Sequence, residues 1–167
     1  MRDIQNKTAL HYAIQEHRCE TTALLLDHGA DPHACSRLND DALRTACIKG
    51  AQAIFDLLRE RVDYEPERLA DAYELLGSTL LDEHNDTQSA MQHWHTAIQI
   101  RMAHGQNGRP VPKLPEMPPK ETFGNAREFV TEEELHALGK FPTQFLLNWM
   151  FVIHVPRLLL QPNKTSH

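Results

Sequence analysis

Eleven histidines, three cysteines and a run of three glutamates are the residues of this chain whose types could do chemistry. Two groups suggest a metal site: His28 and His33 with Cys35, and His84, His93 and His95. Zinc needs four ligands converging in tetrahedral geometry. His93 and His95 stand two apart in a helical pattern and face different directions. His28 falls at a helix end and His33 in the turn after it, so no metal site is expected. A catalytic nucleophile needs a base within hydrogen-bond reach and a third group to orient that base. His17 and Cys19, two apart between two helices, do not satisfy this. Glu132-Glu133-Glu134 comes directly after Thr131 and reads as a capping box, with its carboxylates at the positive end of a helix. No Gly-rich phosphate loop is present. The chain reads as a non-enzyme without a cofactor.

The elements that carry these residues belong to a globular protein. The 167 residues can bury a core, and 41% hydrophobic with 24% charged content is neither disordered nor fibrous. A net charge of −6 with scattered Lys and Arg gives no footprint for nucleic acid. An odd number of cysteines at unpatterned spacing predicts a reducing compartment, cytoplasmic or nuclear. The first seven residues have no apolar stretch, so no signal peptide is expected.

Two stretches echo each other. Ala9, Leu10, Ala13, Leu24 and Leu25 coincide with Ala42, Leu43, Ala46, Leu57 and Leu58 at an offset of 33 residues. That period is the ankyrin signature, a hairpin turn and then two helices. Thr8 is placed to cap the inner helix, Leu24 and Leu25 to bury the outer one, and Gly29 to stop it in a left-handed conformation. In the second copy Asp41 takes the capping position, and Val62-Asp63 stands where Gly29-Ala30 stood. Residues 3–68 therefore read as two ankyrin repeats, the second atypical.

Residues 66–103 carry a different pattern. Leu69, Ala72, Tyr73, Leu76 and Leu80 share one helical face, and Ala90, Trp94, Ala97 and Ile98 share another. Asp86 or Thr87 can cap the second helix. With Gly77 between them, these residues match a tetratricopeptide-type helical hairpin. The fold class is all-α: an α-solenoid of ankyrin repeats followed by a tetratricopeptide-like hairpin. Residues 104–122, with Pro110, Pro112, Pro115, Pro118 and Pro119, read as an extended linker without packed structure. A short helix is expected within 123–138. Residues 139–167 form an apolar tail without a clean period. It is interrupted by Asn148, His154, Pro156 and Arg157 well short of the roughly 20 apolar residues of a membrane span, so burial by a partner, or aggregation, is expected of it.

"ADAYELLGSTLLDEHNDTQSAMQHWHTAIQIRM" (70–102) resembles the hallmark segment of the FEM (feminization) proteins. "FGNAREFVTEEELHAL" (123–138) resembles the acidic helix start that comes after that segment in the family. The order of ankyrin repeats and helical segment agrees. The resemblance implies a substrate receptor of a cullin-RING ubiquitin ligase. Such receptors hold C-terminal degrons of target proteins in an ankyrin groove and engage elongin and cullin near the C-terminus of the full-length form. Residues 139–167 fall outside the resemblance. Gly139-Lys140 can be encoded as a splice-donor sequence, so residues 139–167 are read as a read-through intron; with most degron-reading repeats and the elongin-binding box of the resemblance absent, the chain is read as a fragment or truncated isoform. A stand-alone interaction module or competitor without ligase recruitment, and an incomplete gene product, are the alternatives.

Ankyrin ligands touch the hairpin tips and the exposed side of the inner helix. In this register those positions are Gln5, Lys7, Gln15 and Glu16 in the first repeat and Arg37, Asp40 and Lys49 in the second. Proteins are the expected partners, not nucleic acid or membrane.

Overall fold

The computed structural model describes residues 2–114, 117–118, 121 and 127–160. The described residues fall into two units, 2–64 and 65–160. The described residues are all-α, with one isolated bridge between Gln106 and Arg109. None of the described helices is long and apolar enough to cross a membrane.

The first unit holds two helix pairs, α1 (Ala9–Gln15) with α2 (Cys19–Asp27), and α3 (Ala42–Ile48) with α4 (Gln52–Arg61). Both helices of the second pair start 33 residues after their counterparts, Ala42 after Ala9 and Gln52 after Cys19. The inner helices α1 and α3 pack together, as do the outer helices α2 and α4. Leu10, Ala13, Ile14, Leu43 and Ala46 on the inner helices and Phe55 on α4 are buried, so apolar area leaves water between the helices. The backbone repeats as faithfully as the helices. Asn6 and Asn39 take φ of 60° and 62° at the two hairpin tips, and His17 and Gly50 take 54° and 60° between inner and outer helix. Asparagine tolerates the left-handed region because its short amide can bond locally. Gly29 leaves α2 at φ 78°, whereas Val62 leaves α4 extended at φ −122°. A β-branched residue resists positive φ. Leu24 corrects an expectation. It is 58% exposed, and Thr22 is the buried residue of α2.

The second unit is built on α5 (Pro66–His84) and α6 (Thr87–Ala103). Asn85, at φ 53°, ends α5, and the Asp86 carboxylate accepts the Ser89 N–H at 3.0 Å to open α6. A Cβ added to Gly77 would lie 2.9 Å from Trp94 Nε1 and 3.0 Å from the Ala90 carbonyl oxygen, so the absent side chain permits the close helix contact. Three further helices complete the unit: α7 (Glu132–Leu138), α8 (Thr143–Trp149) and α9 (Val155–Leu160), with a π-helical turn at Met150–His154 between α8 and α9. Thr131 and Glu134 form a reciprocal capping box at α7. Pro156 cannot donate to the helical ladder, and the turn before it widens.

Two sequence expectations fail in this unit. The tail does not wait for a partner: Leu146, Trp149 and Met150 are buried in one cluster with Leu81, Ala90, Trp94, Ile98, Phe129 and Leu135. Trp149 stacks on Phe129 at a centroid distance of 5.5 Å and meets Trp94 edge-on at 5.9 Å. The linker is not unpacked, because Val111 N–H donates to the Arg101 carbonyl at 2.9 Å and Lys113 is buried. Prolines removed donors from this stretch but left its carbonyls, and buried Arg101 donates to the carbonyls of Val111 and Pro112 at 3.5 and 3.2 Å. Linker residues 115, 116, 119, 120 and 122, residues 123–126 and those after Leu160 lie outside the described set.

Candidate partner-binding site

The first unit opens a shallow cleft of about 40 Å³ on the hairpin side of its inner helices. Lys7, His11, Gln15, Ser36, Asp40, Thr45, Ile48 and Lys49 line it. Four of the seven sequence-derived positions, Lys7, Gln15, Asp40 and Lys49, are among them. Gln5, Glu16 and Arg37 are exposed and lie outside the lining.

The wall is held by hydrogen bonds from one repeat to the next. His11 Nδ1 accepts the Thr8 N–H at 3.1 Å, with the Thr8 hydroxyl at 2.9 Å. His11 Nε2 faces the Asp40 carbonyl at 2.8 Å. A carbonyl can only accept, so Nε2 carries the proton and the imidazole is in its neutral Nε2–H form. One histidine thus caps α1 and pins the second hairpin. Arg37 N–H donates to the Gln5 carbonyl at 2.8 Å and joins the two tips. Ser36 Oγ accepts from Leu38 N–H at 3.2 Å and Asp40 N–H at 3.3 Å and closes the second tip. Asp41 accepts the Arg44 N–H at 3.0 Å and caps α3. Around the first tip the Asp3 carboxylate accepts the Tyr12 hydroxyl at 2.6 Å and the backbone N–H groups of Gln5 and Lys7. The Tyr12 bond holds the Asp3 carboxyl below its usual range.

His11, Ser36, Thr45 and Ile48 were missed as lining residues. The signal for Ile48 was present: adding 33 to Gln15 reaches it, just as adding 33 to Lys7 reaches Asp40. His11 carried no such signal, because its partner is a backbone carbonyl 29 residues away.

The metal candidates do not converge. No group of three or more His, Cys, Asp or Glu is placed to hold an ion among the described residues. His95 pairs with Glu132 at 3.1 Å, and buried His93 lies against the Tyr73 ring at 5.7 Å. None of the three cysteines forms a disulfide, and burial raises the Cys47 thiol above the ordinary thiol range.

Two helix pairs in 33-residue register, with finger-like tips closing a cleft on the inner helices, define an ankyrin-repeat protein. An ankyrin-repeat family model matches residues 5–37. Protein fem-1 homolog A of Danio rerio is 32% identical over 110 residues, 66% of this chain and 18% of that protein. Protein fem-1 homolog A of Homo sapiens is 34% identical over 87 residues, 52% of this chain and 12% of that protein. Protein fem-1 homolog C of Homo sapiens is 26% identical over 125 residues, 71% of this chain and 20% of that protein. The chain is similar to these fem-1 proteins over the stretches matched. It spans 12 to 20% of the length of these three relatives.

Proposed function

We propose that the chain is a protein-binding adaptor, part of a substrate receptor of an elongin/cullin-type ubiquitin ligase that recognises C-terminal degrons. The single observation that carries the binding role is the cleft, where Lys7, Gln15, Asp40 and Lys49 stand together on a wall pinned by His11. The ligase role comes from the fem-1 relationship, with elongin and cullin engaged by the full-length form. Binding rather than catalysis suits a wall whose imidazole and hydroxyl groups are engaged in hydrogen bonds within the chain.

The test is affinity purification of the tagged chain from cells, wild type against Gln15→Glu/Lys49→Glu, with circular dichroism to confirm that the variant is folded. The proposal expects specific partners with the wild type that the variant loses. Identical partners from both proteins would place binding elsewhere. Partners that bind this chain but never enter a complex with elongin and cullin through a longer fem-1 form would leave the adaptor without its ligase.

A further inference from the structure

Most polar groups of the cleft make their bonds inside the chain. Ser36 Oγ holds two backbone N–H groups, Thr45 Oγ1 donates to the Asp41 carbonyl at 2.6 Å, and both His11 nitrogens are engaged. The Asp40 carboxylate lies 3.0 Å from Arg44 Nε, so its charge is balanced at home. Lys7 and Lys49 are different. The Lys7 ammonium stands 5.8 Å from the Tyr12 ring centroid, and the Lys49 side chain is exposed. Neither ammonium lies within ion-pair distance of a carboxylate among the described residues. In a chain of net charge −6, this cleft presents two lysine ammoniums, Lys7 within the field of the Asp3 carboxylate, beside one carboxylate, Asp40, that is already paired with Arg44.

Beside them is apolar surface. Ile4 and Leu38 are 83% and 80% exposed. A lone exposed leucine is ordinary, but the Arg37-to-Gln5 backbone bond sets these two tips side by side. They stand three and two residues from the lining positions Lys7 and Ser36.

We infer that the cleft takes an extended acidic protein segment, an internal Asp or Glu side chain seated between Lys7 and Lys49 with a neighbouring apolar side chain over Ile4 and Leu38. The inference rests on the cleft being a partner-binding surface; it concerns an internal segment of the partner and is separate from the reading of a C-terminal degron. A cationic cleft beside an apolar patch gives an acidic segment both steering and selectivity. Nucleic acid fits poorly, since two lysines neutralise few phosphates and the rest of the chain repels them.

The test is selection of short random peptides, displayed with both ends tethered, on the immobilised full chain. Asp and Glu next to aliphatic residues should be enriched. Replacing the selected Glu by Gln should weaken binding about tenfold, with the gap closing at high salt. On the Lys7→Glu/Lys49→Glu chain the enrichment should move to Lys and Arg. No acidic enrichment, the same enrichment on the charge-reversed chain, or binding that requires a free peptide C-terminus would overturn the inference. A Gln15→Trp chain separates the two levels of failure. If it loses all selected peptides while Glu and Gln versions bind alike, the cleft stands and its acidic preference falls. If it retains them all, the cleft itself is the wrong surface.

Discussion

Arg101 and Glu74 meet inside the helical hairpin, Nε donating to Oε1 at 3.1 Å with both side chains buried. The same carboxylate lies 3.0 Å from Lys113 Nζ in the linker and 3.8 Å from His154 Nε2 in the π-helical turn. Arg101 also binds Asp71, and His154 lies 4.0 Å from Glu128. A single glutamate on α5 therefore gathers α6, the linker and the turn before α9. Such a site is stable only when its members satisfy one another.

Glu74→Gln should destabilise the protein by about 3–5 kcal/mol, because Arg101 and Lys113 would keep their charges without their shared counter-charge. The urea unfolding midpoint measures this. Replacing Glu74 and Arg101 together by apolar residues should cost less than the single change.

Gly77→Ala tests the close contact of α5 and α6. The new methyl meets the Ala90 carbonyl, which is backbone, as well as Trp94, so the helices must separate. A loss of about 1–3 kcal/mol is expected. It should come with a weaker Trp94 Nε1–H bond to the Glu74 carbonyl, now 3.1 Å, visible as an indole proton shift.

Interaction range separates the features legible in the residues alone from those that were not. The 33-residue echo, the caps at Thr8 and Asp41 and the left-handed exit at Gly29 depend on neighbours within a turn or on a repeated pattern, and both are visible in one dimension. Ala90, Trp94, Ala97 and Ile98 are all buried because helical period alone aligns them. Arg101, the next position along that stripe, is buried although charged, since its partner Glu74 sits 27 residues away on another helix. Lys113 and Trp149 were illegible for the same reason. Proline content argues against regular structure and says nothing about whether a linker lies on a core. Of the cleft, the tips and the exposed inner-helix positions came from the repeat register, while the His11 bond to Asp40 depended on how closely two hairpins approach.

Trp149→Ala should cost about 3–5 kcal/mol and expose the second unit's core, because the indole fills space between Trp94 and Phe129. Hydrogen exchange should rise in α6 as well as in α8. Faster exchange confined to residues 143–160 would mean that the tail is not part of the core.

Asp86 gives the pH dependence of the hairpin. The Ser89 hydroxyl, with the Ser89 N–H, holds the Asp86 carboxyl below its ordinary value of 3.8 in the folded chain. A folded-state value below the unfolded one favours folding above about pH 4, and the benefit fades as pH falls through the folded value. Asp86→Asn should therefore remove part of the acid sensitivity in urea titrations from neutral to acid pH. Parallel stability curves for the two proteins would show that this cap does not contribute to it.

Photocrosslinking in cells tests the binding role of the cleft most directly, with a benzophenone amino acid placed at Gln15 in the cleft or at Glu60, exposed on α4. If the cleft is where this protein binds its partners, the Gln15 probe yields discrete crosslinked proteins that disappear in a Lys7→Glu/Lys49→Glu background, and the Glu60 probe does not. Crosslinks of equal yield from both positions, or from Glu60 alone, would contradict it.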